Sequence, residues 1–340
     1  MPGQSGARTE TYDPQNPEEE NTMSEKTSTL ERTSTSETID IPTHNGYGTT
    51  LSAVLFVPSD FDADTTYPAI VVSHPGGGVK EQTAGLYASK LAADGFVTIA
   101  YDASFQGAST GEPRQLENPH IRTEDVSAVV DYLTTLPYVD DERIGAMGIC
   151  AGAGYTANAA INDPRIAAVG TVSMVNIGQM FRNGWDGSIA DADAAPVLDQ
   201  GASARTTDAA GQAEGNRFPL APMRREDAPN PELEEAWEYY HTPRCEHPNA
   251  PGWMTTRSLS QIITYDAFHK AEAFLTQPLL LIAGSEAGSK WMSDDLYERA
   301  ASDDKSFHVV EGANHMSLYD GTNEVDEAVS VLVPFFRRNL

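Results

Sequence analysis

Cysteine is nearly absent: the 340-residue chain holds two, Cys150 and Cys245. That excludes a disulfide framework of the secreted kind and fits a reducing compartment. Lysine is scarce as well, with six residues, at 26, 80, 90, 270, 290 and 305. Lys and Arg together number 22 against 50 Asp and Glu, and the net charge of −28 repels phosphate, which excludes a nucleic-acid partner. No apolar run nears the ~18 residues a membrane helix needs, and the polar N-terminus lacks the apolar core of a secretory signal. A cytoplasmic protein with no membrane association is therefore expected. Neither H-E-x-x-H nor paired cysteines occur, so no metal is expected. A G-x-G-x-x-G fingerprint and the lysine-serine ending of a P-loop are both missing, so no nucleotide cofactor is expected either.

What is present is enough to fold. Apolar residues make up 40% and aromatics 8%, which supports a sizeable core and excludes global disorder. The acidic residues are spread along the whole chain, a distribution read as adaptation to a salt-rich cytoplasm, where screening removes self-repulsion. The alternative is an ordinary acidic protein with a polar tail. Residues 1–37, rich in Ser, Thr, Glu and Pro, cannot offset their ordering entropy and read as a disordered tail.

Beyond the tail, short β-branched runs alternate with helical spacing. Strands are expected at 51–57, 69–73, 96–101, 143–149, 166–172, 278–283 and 307–310. Helices are expected at 83–93, 124–136, 151–160, 296–301 and 325–336. Such alternation predicts an α/β fold with a mostly parallel, doubly wound sheet covered on both faces. Residues 178–265 break the pattern with GWDG, EEAWEYYH and TPRCEHPNAPGW, and read as an inserted cap of helices and loops. The core is thus expected in two parts, 38–177 and 266–340.

Three motifs carry chemistry. Gly148-Ile149-Cys150-Ala151-Gly152 falls where a strand ends and a helix begins. Small residues two before and two after a nucleophile permit the sharp turn that lifts its side chain above the sheet edge. The Ala151 N–H then supplies an oxyanion donor at a helix N-terminus. The bland alternative is a small buried hydrophobe between packing glycines. His74-Pro75-Gly76-Gly77-Gly78 follows an expected strand, and its glycines let backbone N–H groups approach an anion. His74 itself reads as a structural hydrogen-bonder. Gly312-Ala313-Asn314-His315 follows the last expected strand, where a base meeting a nucleophile above the sheet should lie. Of the eight histidines, His44, His120, His241 and His247 lie in polar loop or cap contexts, His269 precedes a strand and His308 lies within one.

Oxyanion glycines, nucleophile elbow and late histidine stand in the chain order of the α/β-hydrolase fold, which the sequence resembles over about residues 45–338. The cysteine in the elbow is similar to the dienelactone-hydrolase branch. The runs HPGGGVKEQTAGLYA, YDASFQGASTGEPR, LENPHIRTEDVSAVVDYL and GICAGAGY resemble capped hydrolases related to fungal polyketide transferases and thiohydrolases. The resemblance implies Cys150 as nucleophile, His315 as base, and the N–H groups of Ala151 and of Gly76 or Gly77 as the oxyanion hole. The acid of such a triad is expected three or four residues past Gly284, where Ala287 and Gly288 stand. Glu286 is the nearest carboxylate and the expected acid. Asp294 and Asp295 are better placed to cap a helix, and a Cys150–His315 dyad is the further alternative.

Other polar residues receive plain readings: Asp102 holds a loop, Asp125 faces solvent, Lys80 and Glu81 are solvated, and Asp320 is a solvated turn residue. Trp237, Tyr239, Tyr240 and Trp253 read as cap packing; lining a pocket instead, they would imply an aromatic or long acyl substrate. The expected function is hydrolysis of an ester, thioester or lactone of small-molecule size through a Cys150 acyl-enzyme. An acyltransferase using the same pair, and a binding protein on a hydrolase scaffold, are the rival readings.

Overall fold

The structure, a computed structural model, describes residues 34–340. The chain begins with β1 (Ser34–Pro42), β2 (Thr50–Pro58), β3 (Tyr67–Ser73), α1 (Thr83–Ala93), β4 (Val97–Tyr101), α2 (Pro119–Leu133), β5 (Val139–Ile149), α3 (Ala151–Asn162) and β6 (Ile166–Val172). The inserted region carries α4 (Ile177–Asn183), α5 (Ala195–Ala209), β7 (Arg217–Pro219), α6 (Pro231–His241), β8 (Trp253–Thr255), α7 (Leu259–Ile262) and α8 (Ala271–Phe274). The core resumes with β9 (Leu279–Gly284), α9 (Lys290–Arg299), β10 (Lys305–Val310), α10 (Ser317–Asp320) and α11 (Thr322–Asn339).

Eight strands form one sheet in the order β1-β2-β4-β3-β5-β6-β9-β10. Pairing is antiparallel at β1–β2 and β2–β4 and parallel from β4 onward. The parallel strands are buried on both faces, which is why they read as continuous apolar runs. Along β3, Ala69 and Val71 face a core shared with α2 and α3, while Ile70 and Val72 face one shared with α1 and α11. The insertion joins both cores, Leu259 and Ile262 on the first and Ala236, Tyr239 and Tyr240 on the second. Among the described residues no helix is long and apolar enough to cross a membrane.

Four expectations are corrected. The tail was expected to run to residue 37, and most of it lies outside the described residues. Ser34–Glu37, however, belong to β1 and pair with Pro58–Leu55 of β2. This edge strand is largely solvated, so its polar sequence carries no apolar signature. Helix α2 begins not near Glu124 but at Pro119, where Asn118 accepts a hydrogen bond from the His120 N–H. Asp125, expected to face solvent, points inward. It is fully buried and accepts hydrogen bonds from the Ser104 N–H (2.8 Å) and hydroxyl (2.7 Å). Lys80 is also buried, with its ammonium on Asp102 (2.8 Å) and on the more exposed Glu81 (2.7 Å). Asp102 does hold its loop, accepting from the Lys80 and Ala108 N–H groups.

Burial pushes the Asp125 carboxyl up to about 7. With the folded value above the unfolded one, its contribution to stability is present below about pH 4 and lost as pH rises through 7, on the order of 4 kcal/mol in all. Asp125→Asn keeps an acceptor for Ser104 and removes this titration. Urea denaturation at pH 4 to 8 should therefore show the variant gaining stability relative to wild type as pH rises; a difference independent of pH would contradict the assignment.

Candidate active site

The elbow is built by close packing. Cys150 has φ 57° and ψ −126°, a left-handed conformation that a non-glycine residue holds only when its surroundings impose it. A Cβ on Gly148 would stand 2.3 Å from the Gly152 carbonyl, and one on Gly152 would stand 2.4 Å from the Ser73 carbonyl. Both glycines are thus required for β5, the turn, α3 and the end of β3 to approach as they do. The turn is fixed further by the Cys150 carbonyl, which accepts from the Ala153 and Val175 N–H groups at 3.0 Å each.

The thiol sits at the carboxyl end of the central strand, where open α/β sheets place their ligands. The N–H groups of Ala151 and Gly76 both point at the Cys150 sulfur. Gly77 plays a different part, supplying the left-handed turn (φ +73°) of its loop. His74 anchors that loop: its Nδ1 lies 2.6 Å from the Pro75 carbonyl, and its Nε2 accepts from the Ala103 N–H. Its carbonyl accepts from Arg122 at 2.8 Å, and the buried Arg122 is paired with Glu117. Burial first, then the Arg122 charge, hold the His74 ring well below the ordinary imidazole range, so it serves as a neutral bracket.

His315 follows β10 and meets Cys150 over the sheet edge through a third residue. Its Nε2 lies 3.2 Å from the Tyr319 hydroxyl, and that hydroxyl hydrogen-bonds the Cys150 thiol. Tyr240, from α6, hydrogen-bonds the same Tyr319 hydroxyl from the cap side. The other ring nitrogen, Nδ1, lies 2.7 Å from the hydroxyl of buried Ser289. Donation from Nδ1–H to Ser289 leaves Nε2 as the acceptor, the tautomer a base requires.

The expected acid is displaced. Glu286 is exposed, because its N–H donates to the Ala313 carbonyl and the turn directs its side chain to solvent. Ser289, five residues past Gly284, occupies the position against Nδ1. A side chain at 288 is excluded, since a Cβ there would stand 2.6 Å from the Trp185 indole. Asp294 and Asp295 lie inside α9, not at its start, and pair with Lys290 and Arg299. Asp320 is no free turn residue either; it clamps Arg244 with two hydrogen bonds of 2.7 and 2.8 Å.

The cap closes over this group. Glu232, at the start of α6, accepts from the His315 N–H at 2.7 Å, the Trp185 indole N–H at 2.5 Å and the Gly288 N–H at 3.2 Å. Trp185 stands edge-on to the His315 ring at 4.8 Å. Of the four expected cap aromatics, Tyr240 lines the chamber above Cys150, whereas Trp253 packs under Arg217. Trp185, Glu232, Ser289 and Tyr319 went unassigned in the sequence. Tyr319 had a readable signal, standing four residues past His315.

Burial sets the protonation state. His315 is pushed down to about 3, and the Cys150 thiol is pushed up by burial despite the Ala151 and Gly76 N–H groups that favour thiolate. The resting pair is a neutral thiol beside a neutral imidazole.

A mostly parallel sheet with a tight strand-to-helix elbow, a glycine loop and a late histidine at its carboxyl edge is the α/β-hydrolase fold. The profile of the X-Pro dipeptidyl-peptidase (S15 family) matches residues 47–316, and the chain belongs to that family. It is similar to YcjY of Escherichia coli K12, with 68% identity over 290 residues, covering 85% of this chain and 94% of that one. PA2218 of Pseudomonas aeruginosa is 37% identical over 289 residues, covering 83% of this chain and 76% of that one. Its crystal structure matches with a TM-score of 0.81 over 92% of this chain and 95% of that chain. A shorter stretch is similar to the thiohydrolase aneE of Aspergillus aculeatus, 30% identical over 102 residues, which are 30% of this chain and 32% of that one.

The neutral pair predicts that alkylation of Cys150 by iodoacetamide, measured against a Cys150→Ala blank, rises steadily from pH 6 to 9. A plateau of high reactivity between pH 5 and 7 would mean a thiolate–imidazolium pair instead.

Proposed function

We propose that the protein hydrolyses an ester, thioester or lactone through an acyl-enzyme on Cys150. The observation that carries this reading is the convergence of two backbone donors and one hydroxyl relay on a single strained thiol. As the sulfur attacks the substrate carbonyl carbon, the thiol proton passes to the Tyr319 oxygen and the Tyr319 proton passes to His315 Nε2. The carbonyl oxygen takes up the negative charge and is held by the Gly76 and Ala151 N–H groups; losing one such donor costs about 3 kcal/mol in comparable chemistry. The intermediate collapses as His315 gives its proton to the leaving oxygen or sulfur. Water, deprotonated by His315, then attacks the thioester carbonyl, and the proton returns to Cys150 as the acid departs.

Ser289 in place of a carboxylate suits this nucleophile. A thiol needs less assistance to ionise than a hydroxyl, so a neutral partner that fixes the ring tautomer suffices. The local likeness to a thiohydrolase supports thioesters as a substrate class. Peptide substrates of the kind in the family's name present an N-terminal cation. Glu232, the one carboxylate among the described residues lining the chamber, is already occupied by three donors.

Turnover of p-nitrophenyl esters, acyl thioesters and an Xaa-Pro p-nitroanilide distinguishes these classes. Esters and thioesters should be cleaved, Cys150→Ala should lose at least about a thousandfold in kcat, and Tyr319→Phe about a hundredfold in kcat with little change in KM. Preferential cleavage of the anilide, or undiminished activity in Cys150→Ala, would overturn the reading.

A further inference from the structure

The chamber over Cys150 is small, about 50 Å³, room for a carbonyl and a short substituent. Beside it runs a groove of about 470 Å³. The two spaces share the walls formed by Met180, Trp185, Leu220, Ala221 and Leu233. Leu220 is the partition: it leans on the oxyanion loop so closely that a Cβ on Gly77 would stand 3.0 Å from its Cδ1. Beyond Leu220 the groove is lined by Phe181, Phe218 and Met223, the two phenyl rings 5.7 Å apart and Met223 42% exposed at the rim.

Charge narrows what fits. Among the described residues no Lys or Arg lines the chamber or the groove; their charged residues are Glu232 and Asp227, the latter paired with Arg224. An anionic ligand would meet no counter-charge within these walls and a net charge of −28 around them. Position narrows it further. A leaving group has to face His315 Nε2 to collect its proton, whereas the partition stands on the oxyanion loop. The arm that passes Leu220 is therefore the acyl arm.

We infer that the Phe181–Phe218–Met223 groove is the binding subsite for the uncharged, apolar acyl chain of the substrate, with Leu220 as the throat that meters chain length. This rests on the hydrolase reading above, and it assigns the substrate class as neutral medium-chain acyl esters or thioesters, excluding free carboxylates.

The test is the ratio of kcat/KM for p-nitrophenyl octanoate to that for the acetate, in wild type, Leu220→Trp and Phe218→Asp, together with calorimetric binding of methyl octanoate and octanoate to Cys150→Ala. The ratio should fall at least tenfold in both variants, and methyl octanoate should bind at least tenfold more tightly than octanoate. Rates that fall in parallel, leaving the ratio unchanged, would show these residues merely supporting the oxyanion loop and would overturn the subsite, as would equal binding of ester and anion. Methyl octanoate binding that is lost on adding Phe218→Asp, in a protein whose wild type cleaves no ester, would keep the subsite and remove the hydrolase reading. Neither cleavage nor binding would remove the subsite.

Discussion

Cys150 stands in a left-handed backbone conformation because three backbone segments crowd together around it, and the rest of the site is arranged by that crowding. With no Cβ at 148 or 152, β5 and α3 close onto the end of β3, which carries the Gly76–Gly78 loop directly to Cys150. The same approach aligns the Ala151 and Gly76 N–H groups on one sulfur. Strain at a single residue is thus held by packing on all sides, and the geometry of the donors follows from it.

The second constraint is exclusion of water. The insertion is fastened to the His315 loop by Glu232, which takes the His315 N–H, and by the Arg244–Asp320 pair. Beneath this lid the imidazole and the thiol are both driven to their neutral forms, so the pair itself carries no charge in the resting state. In the proposed reaction, charge that develops there is met by fixed backbone dipoles in a low-dielectric setting. Tyr319 makes this workable by bridging a thiol and a base that would otherwise have to ionise across the gap.

Legibility in the sequence followed the physics of each element. The central strands were readable because burial on both faces leaves continuous β-branched runs, and the elbow because its glycines are sterically compulsory. Edge strand β1 was hidden by its solvated, polar alternation, and α2 began five residues early because its Asn118-Pro119 start was not read as a cap. His315 was placed by its position after the last strand. Its partners were not: Glu286 is the nearest carboxylate past Gly284 in the sequence, while backbone turns put the hydroxyl of Ser289 against the ring. Glu232 and Trp185 come from the insertion, whose contacts with the core no periodicity encodes.

The central claim is that Cys150 carries the acyl group, and mass spectrometry of protein quenched in acid during turnover of a p-nitrophenyl ester tests it most directly. The account predicts an added acyl mass on the peptide containing Cys150, absent from Cys150→Ala. Turnover with no adduct on that peptide, or with the acyl group on another side chain, would contradict it.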